Sequence, residues 1–400
     1  MTGVGGNFWR VYLYKFLGEF YLIVPVLIPY YQANGLGRSS VFLIQAAYTL
    51  AVLALEIPSG YLADVVGRRR TLIMAGVFFP LGLVAYALGR SFAAFVAAEL
   101  ILALGNSLRS GCDSALLYDS LVELGRPEDY KKFEGRSFFF TRVGTASAAA
   151  LGGALAVVAL RLPFWVNIAT GSLMLPVALS FVEPARTKLE AESPWRDILR
   201  ISRWSIRHPQ LRFYILLGAL MNSTGILGIW TSFLYFQDVG VGLGWFGILF
   251  ALFQLASALS SRRAHVVERA LGLRRSLFLL PGVGVSFVLI GLGRSPAFIP
   301  FIILNAALWG FSFPILMDGV NRLIPSDTRA TVLSVGNMVG SLSFGLLGPL
   351  FGRLMDAVSV GSAYVFLGGY FLVYVGLVLV YGRKVGAYPA AESGPPPSTS

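Results

Sequence analysis

The chain has 400 residues, 56% of them hydrophobic and 13% charged, and a formal net charge of +12. Soluble domains carry about 25% charged residues, so the expected solvent is a lipid bilayer and a freely soluble enzyme is excluded. The positive charge does not indicate a nucleic-acid partner, because the basic residues fall in short segments between apolar runs instead of on one soluble face.

A membrane-spanning helix needs roughly 20 apolar residues. The hydropathy pattern predicts twelve, near 8–31, 40–62, 71–89, 92–117, 137–160, 163–182, 212–236, 243–261, 276–293, 297–320, 331–352 and 361–382. The first apolar stretch lacks a small-residue cleavage site and leads into further spans, so it is expected to be a span and not a removed signal. With both termini in the cytoplasm, 24 of the 32 Lys and Arg fall on the cytoplasmic side and five on the outer side. Lys15, Arg109 and Arg142 lie inside spans. This bias sets both topology and orientation.

The longest connection, 183–211, divides the chain into an N-terminal bundle (1–182) and a C-terminal bundle (212–382), followed by a tail (383–400) expected to be disordered. Within the connection, Trp195, Ile198, Leu199, Ile201 and Trp204 alternate with arginines. That pattern suits an amphipathic helix lying on an anionic leaflet. Cys112 is the one cysteine, which rules out an internal disulfide. His208 and His265 fall in loops. No metal-ligand cluster, nucleotide-binding loop or nucleophile–base pair stands out, so no cofactor, no metal and no catalysis are expected.

The chain also repeats itself. Sliding it by 205 positions lays Gly67, Arg69, Arg70 and Leu72 on Gly272, Arg274, Arg275 and Leu277. The same shift lays Gly105, Ser107 and Asp113 on Gly310, Ser312 and Asp318. Two homologous halves follow, with a degraded second copy in which Arg269 replaces Asp64.

Gly60 to Leu72 reads G-Y-L-A-D-V-V-G-R-R-R-T-L. This segment resembles the loop between helices 2 and 3 of the major facilitator superfamily of secondary transporters. Further marks are Glu56-Ile57-Pro58-Ser59-Gly60, Asp113 to Leu121, and Asn321-Arg322 through Ser334. The resemblance covers about residues 8–382 and is similar to a bacterial branch regarded as exporters. It implies an all-α membrane protein with two six-helix bundles related by a parallel pseudo-two-fold. It also implies that Gly60, Asp64, Gly67, Arg68, Arg69, Asp119 and Arg329 form a conformational latch. Asp64 is expected near Arg329–Thr331, and Asp119 near Arg68 or Arg69. The proline of the family's span 5 antiporter signature is missing beside Gly144, Gly152 and Gly153. Those glycines also suit close helix packing.

A charge at mid-bilayer costs at least about 2.5–3.5 kcal/mol, so intramembrane charges need partners or water. Lys15 and Glu19 are spaced i,i+4 on span 1, as are Arg109 and Asp113 on span 4. Glu56, Arg142 and Asp318 complete the cavity charges. Glu19 and Asp113 are the candidates for proton coupling, tuned by the arginines. Each i,i+4 pair also has a bland reading, as an internal ion pair that only neutralises itself. The second half offers polar Asn222, Gln254, Asn305 and Asn337. It also offers aromatic Trp230, Phe233, Tyr235, Phe236, Trp309, Phe311 and Phe313 for a substrate.

The expected activity is secondary transport across the bacterial inner membrane by alternating access. It takes the form of export of a small amphipathic or drug-like solute in exchange for protons, by a monomer whose partners are solute, protons and lipid. Uptake or facilitated diffusion of an anionic metabolite through Arg109 and Arg142 is the nearer alternative. A transport-inactive membrane sensor is the further one.

Overall fold

A computed structural model describes residues 3–185, 203–324 and 329–388. Their regular structure is helical throughout. In chain order the principal helices are α1 (Asn7–Gly18), α2 (Leu27–Ala33), α3 (Arg38–Val66), α4 (Arg68–Leu88), α5 (Phe92–Arg109), α6 (Cys112–Glu123), α7 (Tyr130–Val158), α8 (Leu162–Ser172) and α9 (Met174–Ser180). They continue as α10 (Pro209–Asp238), α11 (Leu243–Leu277), α12 (Pro281–Leu292), α13 (Ile299–Asn321), α14 (Arg329–Ala357) and α15 (Val360–Lys384). Among the described residues ten helical stretches are long and apolar enough to cross a membrane. The two predicted spans absent from that set, 8–31 and 276–293, are both interrupted.

The first interruption contains Pro25, which has no N–H to donate to the carbonyl four residues back; α1 stops at Gly18 and α-helix resumes at Leu27. The backbone groups freed by this break must be satisfied, since lipid offers no hydrogen bonds. Asn167 of α8 does so: its Oδ1 accepts from the Leu22 N–H at 3.0 Å and its Nδ2 donates to the Phe20 carbonyl at 2.8 Å. The second interruption is the turn at residues 278–280, between the end of α11 at Leu277 and the start of α12 at Pro281; just before it, Gly272, with φ 78° and ψ 155°, kinks the end of α11. Predicted span 4 is also broken, between α5 and α6, where Gly111 takes φ 72°.

The chain forms two compact units. The first comprises Met1–Ala191, Phe236–Ala251 and Gly345–Ala357, and the second comprises Glu192–Tyr235, Leu252–Phe344 and Val358–Ser400. In the first, α5 packs along both α4 and α3, and α1 packs along α7. Small residues permit this closeness: a Cβ on Gly144 would sit 2.6 Å from the Phe16 carbonyl oxygen, and one on Gly153 3.0 Å from the Gly247 nitrogen. The span 5 glycines therefore serve helix packing. Arg38 pairs with Asp238 at 2.8 Å, and the Ser39 N–H donates to Asp356 at 3.1 Å. In the second unit, α12 packs along α13 and α15.

The repeat has a backbone signature. Gly67, at φ 116° and ψ 149°, stands 205 residues before Gly272, which adopts nearly the same conformation. Both values lie in a region that side chains strain to enter. The amphipathic segment expected around Trp195 and most of the tail lie outside the described residues.

Candidate functional site

Because α1 ends at Gly18 and α5 ends at Arg109, neither expected i,i+4 pair exists. Helical spacing cannot continue through a broken helix, and the charges pair across helices instead. Arg109 Nη2 lies 2.6 Å from Glu19 Oε1 and also donates to Asn106 Oδ1 at 2.9 Å. Lys15 Nζ lies 3.8 Å from Asp113 and 2.7 Å from Glu134. Ser114 and Ser137 hydroxyls complete the lysine's shell at 2.8 and 3.1 Å. Lys15 and Asp113 are both buried. Room for the arginine comes from Gly18, where an added Cβ would lie 2.9 Å from Arg109 Nη1.

The result is a chain of charges through the interior of the first unit, running from Glu19 and Arg109 to Asp113, Lys15 and Glu134. Glu134 was missed because it sits in what reads as a cytoplasmic loop, whereas α7 begins early enough to carry it inward. Its Oε2 is buried with no hydrogen-bond partner. Arg142 does not join this cluster; it is exposed and stacks over the Phe138 ring at 4.7 Å. Glu56 is part-buried on α3, one turn before Gly60. Asp318 is not a buried cavity charge: it is half-buried and pairs with the exposed Arg322 at 2.6 Å.

The loop between α3 and α4 is built around Gly67. Its extended backbone at positive φ lets α4 begin immediately, and the first N–H groups of α4 need acceptors. Glu183 supplies both, accepting from the Arg68 N–H at 2.8 Å and from the Arg69 N–H at 2.7 Å. A carboxylate at a helix N-terminus is also favoured by the helix dipole. Arg68 lies between two acids, 2.8 Å from Asp64 and 3.5 Å from Asp119. Arg69 instead donates to the Leu179 carbonyl at 2.8 Å. Gly60 faces open space. The side chains of Arg329 and Thr331 lie outside the described residues. Glu183 was not singled out because only the fold brings it 115 positions back to α4.

The second unit contains a cavity of about 140 Å³ between α10, α13 and α14, lined by Tyr214, Met221, Asn222, Trp309, Phe313 and Asn337 among others. Trp309 and Phe313 stack nearly parallel, with ring centres 6.3 Å apart. The indole N–H donates to the Met221 carbonyl at 2.9 Å, which fixes the ring. A Cβ on Gly225 would meet that nitrogen at 2.6 Å, so this glycine is what admits the ring. Asn222 Oδ1 is buried without a partner. The lining has no charged side chain.

The other expected cavity residues have different places. Asn305 is buried and donates to Ser286 Oγ at 2.9 Å and to the Val283 carbonyl at 3.2 Å, tying α13 to α12. Trp230, Phe233, Tyr235, Phe236 and Phe311 are buried core residues, and Tyr235 donates to the carbonyls of Gly293 and Ser295. Gln254 is part-buried on α11, outside the cavity lining. An aromatic in an apolar helix gives no sequence signal that separates core from cavity.

Comparison with known proteins agrees with this architecture. The sequence model of the Major Facilitator Superfamily matches residues 16–347. The chain is 28% identical over 204 residues to the multidrug resistance protein Stp of Mycobacterium tuberculosis (strain CDC 1551 / Oshkosh), a match covering 50% of this chain and 35% of that protein. It is 22% identical over 245 residues to the quinolone resistance protein NorA of Staphylococcus aureus (strain MRSA252), covering 58% and 61%. The matches span about a third of the length of the mycobacterial relatives. The fold resembles the crystal structure of the nucleoside transporter NupG, with a TM-score of 0.78 at 15% identity over 94% of this chain and 99% of that one. It also resembles a POT family transporter in complex with a thioalcohol-conjugated peptide, with a TM-score of 0.75 at 16% identity over 94% and 96%. Family and fold are those of transporters, not enzymes, and the apolar helices make this an integral, multi-pass membrane protein. With its family match covering residues 16–347 of 400, the chain belongs to the Major Facilitator Superfamily.

Proposed function

We propose that this transporter exports a small, flat, amphipathic organic solute from the bacterial cytoplasm in exchange for protons. It works as a monomer by alternating access of two six-helix bundles, residues 1–182 and 212–382, with both termini in the cytoplasm. The observation that carries this reading is the pairing of Glu19 with Arg109 and of Asp113 with Lys15 on interrupted helices. An ion pair formed between helices, not within one, can be opened by helix movement. A carboxylate that loses its cation in an apolar setting gains a proton. Glu19 and Asp113 therefore bind and release the proton, and Arg109 and Lys15 are the cations whose approach and withdrawal drive that exchange. The uncharged cavity of the second unit, with its stacked Trp309 and Phe313 and the open acceptor of Asn222, takes the solute. Relatives named for multidrug and quinolone resistance support the same class of cargo.

The alternative cargo, an anionic metabolite, needs available arginines. Arg109 is engaged by Glu19 and Asn106, and Arg142 lies over Phe138, which favours the proton reading. The Gly67 loop is then a one-sided latch, because Asp64, Arg68 and Asp119 form an acid–base–acid set while Arg269 stands exposed in the repeat position.

The test is accumulation of an amphipathic fluorescent dye by inverted vesicles containing the protein under an imposed pH gradient. Export coupled to protons predicts uptake that collapses when an ionophore dissipates the gradient. Uptake that persists at full rate after dissipation would refute coupling.

A further inference from the structure

The first unit buries one more carboxylic acid, which neither the charge chain nor the latch uses. Glu99, on α5, is 5% exposed. Its Oε1 accepts from Gln45 Nε2 of α3 at 2.6 Å and from the Tyr86 hydroxyl of α4 at 2.5 Å. The Tyr86 hydroxyl in turn shares a 2.5 Å hydrogen bond with the Tyr31 hydroxyl of α2. Around this network lie the rings of Phe95, Tyr30 and Phe164. The sequence reading passed over Glu99 because it stands alone in an apolar run, with no charged residue at helical spacing.

The surroundings of Glu99 differ in kind from those of Glu19 and Asp113. The groups that face it are Gln45 and Tyr48 from α3, Tyr86 from α4, Tyr31 from α2, and Tyr21 from the broken stretch after α1. None of these is a cation, and among the described residues no Lys, Arg or His forms an ion pair with it. An isolated buried carboxylate is costly to keep ionised, by several kcal/mol as an order of magnitude. The two hydrogen bonds on one oxygen offset part of that cost, whereas a bound proton removes the charge altogether. Four polar groups donated by separate helices are themselves expensive to bury, and no other partner explains their convergence.

On α5, Glu99 stands about 10 Å from the end next to the Arg90 segment, and Arg109 about 15 Å further along, at 1.5 Å per residue. The charge bias of the sequence assigns the Arg90 segment to the outer side.

We propose that Glu99 is a second proton-binding site of this transporter, on the outer-side half of the first unit. Its part in transport rests on the proton-coupled reading above; its binding of a proton does not. Gln45 and Tyr86 are positioning residues that set how tightly Glu99 holds its proton.

The experiment is infrared difference spectroscopy of the full chain in liposomes, titrated with pH and without solute. The wild type is expected to show the carbonyl band of a buried protonated carboxylic acid at neutral pH, and Glu99→Gln is expected to lose it. Gln45→Leu keeps the fold and removes a donor that favours the ionised form, so the band should persist to higher pH. A wild type without the band, a Glu99→Gln protein that retains it, or a Gln45→Leu protein with an unmoved titration would each overturn the site. Wild-type protein that shows the band but moves no protons would reject proton coupling and leave the Glu99 site standing.

Discussion

Arg109 reaches across from the end of α5 to place its Nη2 2.6 Å from Glu19 Oε1, joining two helices at the points where both are interrupted. The pair is mostly shielded from solvent, more so on the arginine side. Removing one member leaves an uncompensated charge, whereas removing both leaves none. Arg109→Gln and Glu19→Gln are each expected to destabilise the protein by about 1–3 kcal/mol. The double variant should lose clearly less than the sum, with a coupling of about 1–3 kcal/mol. Thermal unfolding in detergent of the four proteins measures this, and strict additivity would show that the contact carries no energy.

The break in the first span depends on Asn167. Asn167→Leu fills similar space but strands the Leu22 N–H and the Phe20 carbonyl. A cost of about 1–3 kcal/mol per stranded group is expected. Hydrogen exchange at Leu22 should accelerate in the variant while exchange within α4 stays unchanged; protection retained at Leu22 would contradict the role.

Gly67 and Gly272 share a backbone conformation but not a neighbourhood. Alanine at either should cost about 1–3 kcal/mol through strain at positive φ. At Gly67 the new Cβ would also lie 3.1 Å from the Glu183 carboxylate, whereas at Gly272 it meets open space. Gly67→Ala should therefore lower the melting temperature more than Gly272→Ala. Glu183→Gln, which keeps one acceptor oxygen but loses the other and the charge at the start of α4, should cost about 1–3 kcal/mol. Equal shifts for the two alanine variants would remove Glu183 from the account of the loop.

The latch makes an asymmetric prediction. Asp64→Asn weakens the set around Arg68, while Arg269→Gln alters an exposed residue at the repeat position. Asp64→Asn should change the rate of cysteine cross-linking at the cytoplasmic ends of the helices several-fold, and Arg269→Gln should leave it within experimental error. Equal effects would mean that the two loops do the same work.

The apolar helices and the repeat of Gly67 at Gly272 were legible because hydropathy and glycine placement are local properties of the chain. The family loop was legible for the same reason. The partners of the intramembrane charges were not. Lys15–Glu19 and Arg109–Asp113 have the spacing of helical pairs, and only the breaks at Gly18 and Ser110–Gly111 redirect them to Arg109–Glu19 and Lys15–Asp113. Glu134, Asn167 and Glu183 act on residues more than 110 positions away, a separation that no spacing rule reaches. Trp309 and Asn222 do line the cavity, while Trp230 and Asn305 are packed or bonded elsewhere. Their difference lies in which face of the helix meets a neighbour, and uniformly apolar helices carry no periodicity that reveals it.

Proton movement driven by the solute tests the central claim most directly. Liposomes containing the full chain and a trapped pH-sensitive dye receive an amphipathic solute on one side, with no pH gradient imposed. Proton-coupled exchange predicts a change in internal pH opposite to the solute flux in the wild type, abolished in the Glu19→Gln/Asp113→Asn double variant. Solute flux with no pH change in the wild type, or an undiminished pH change in the double variant, would contradict the account.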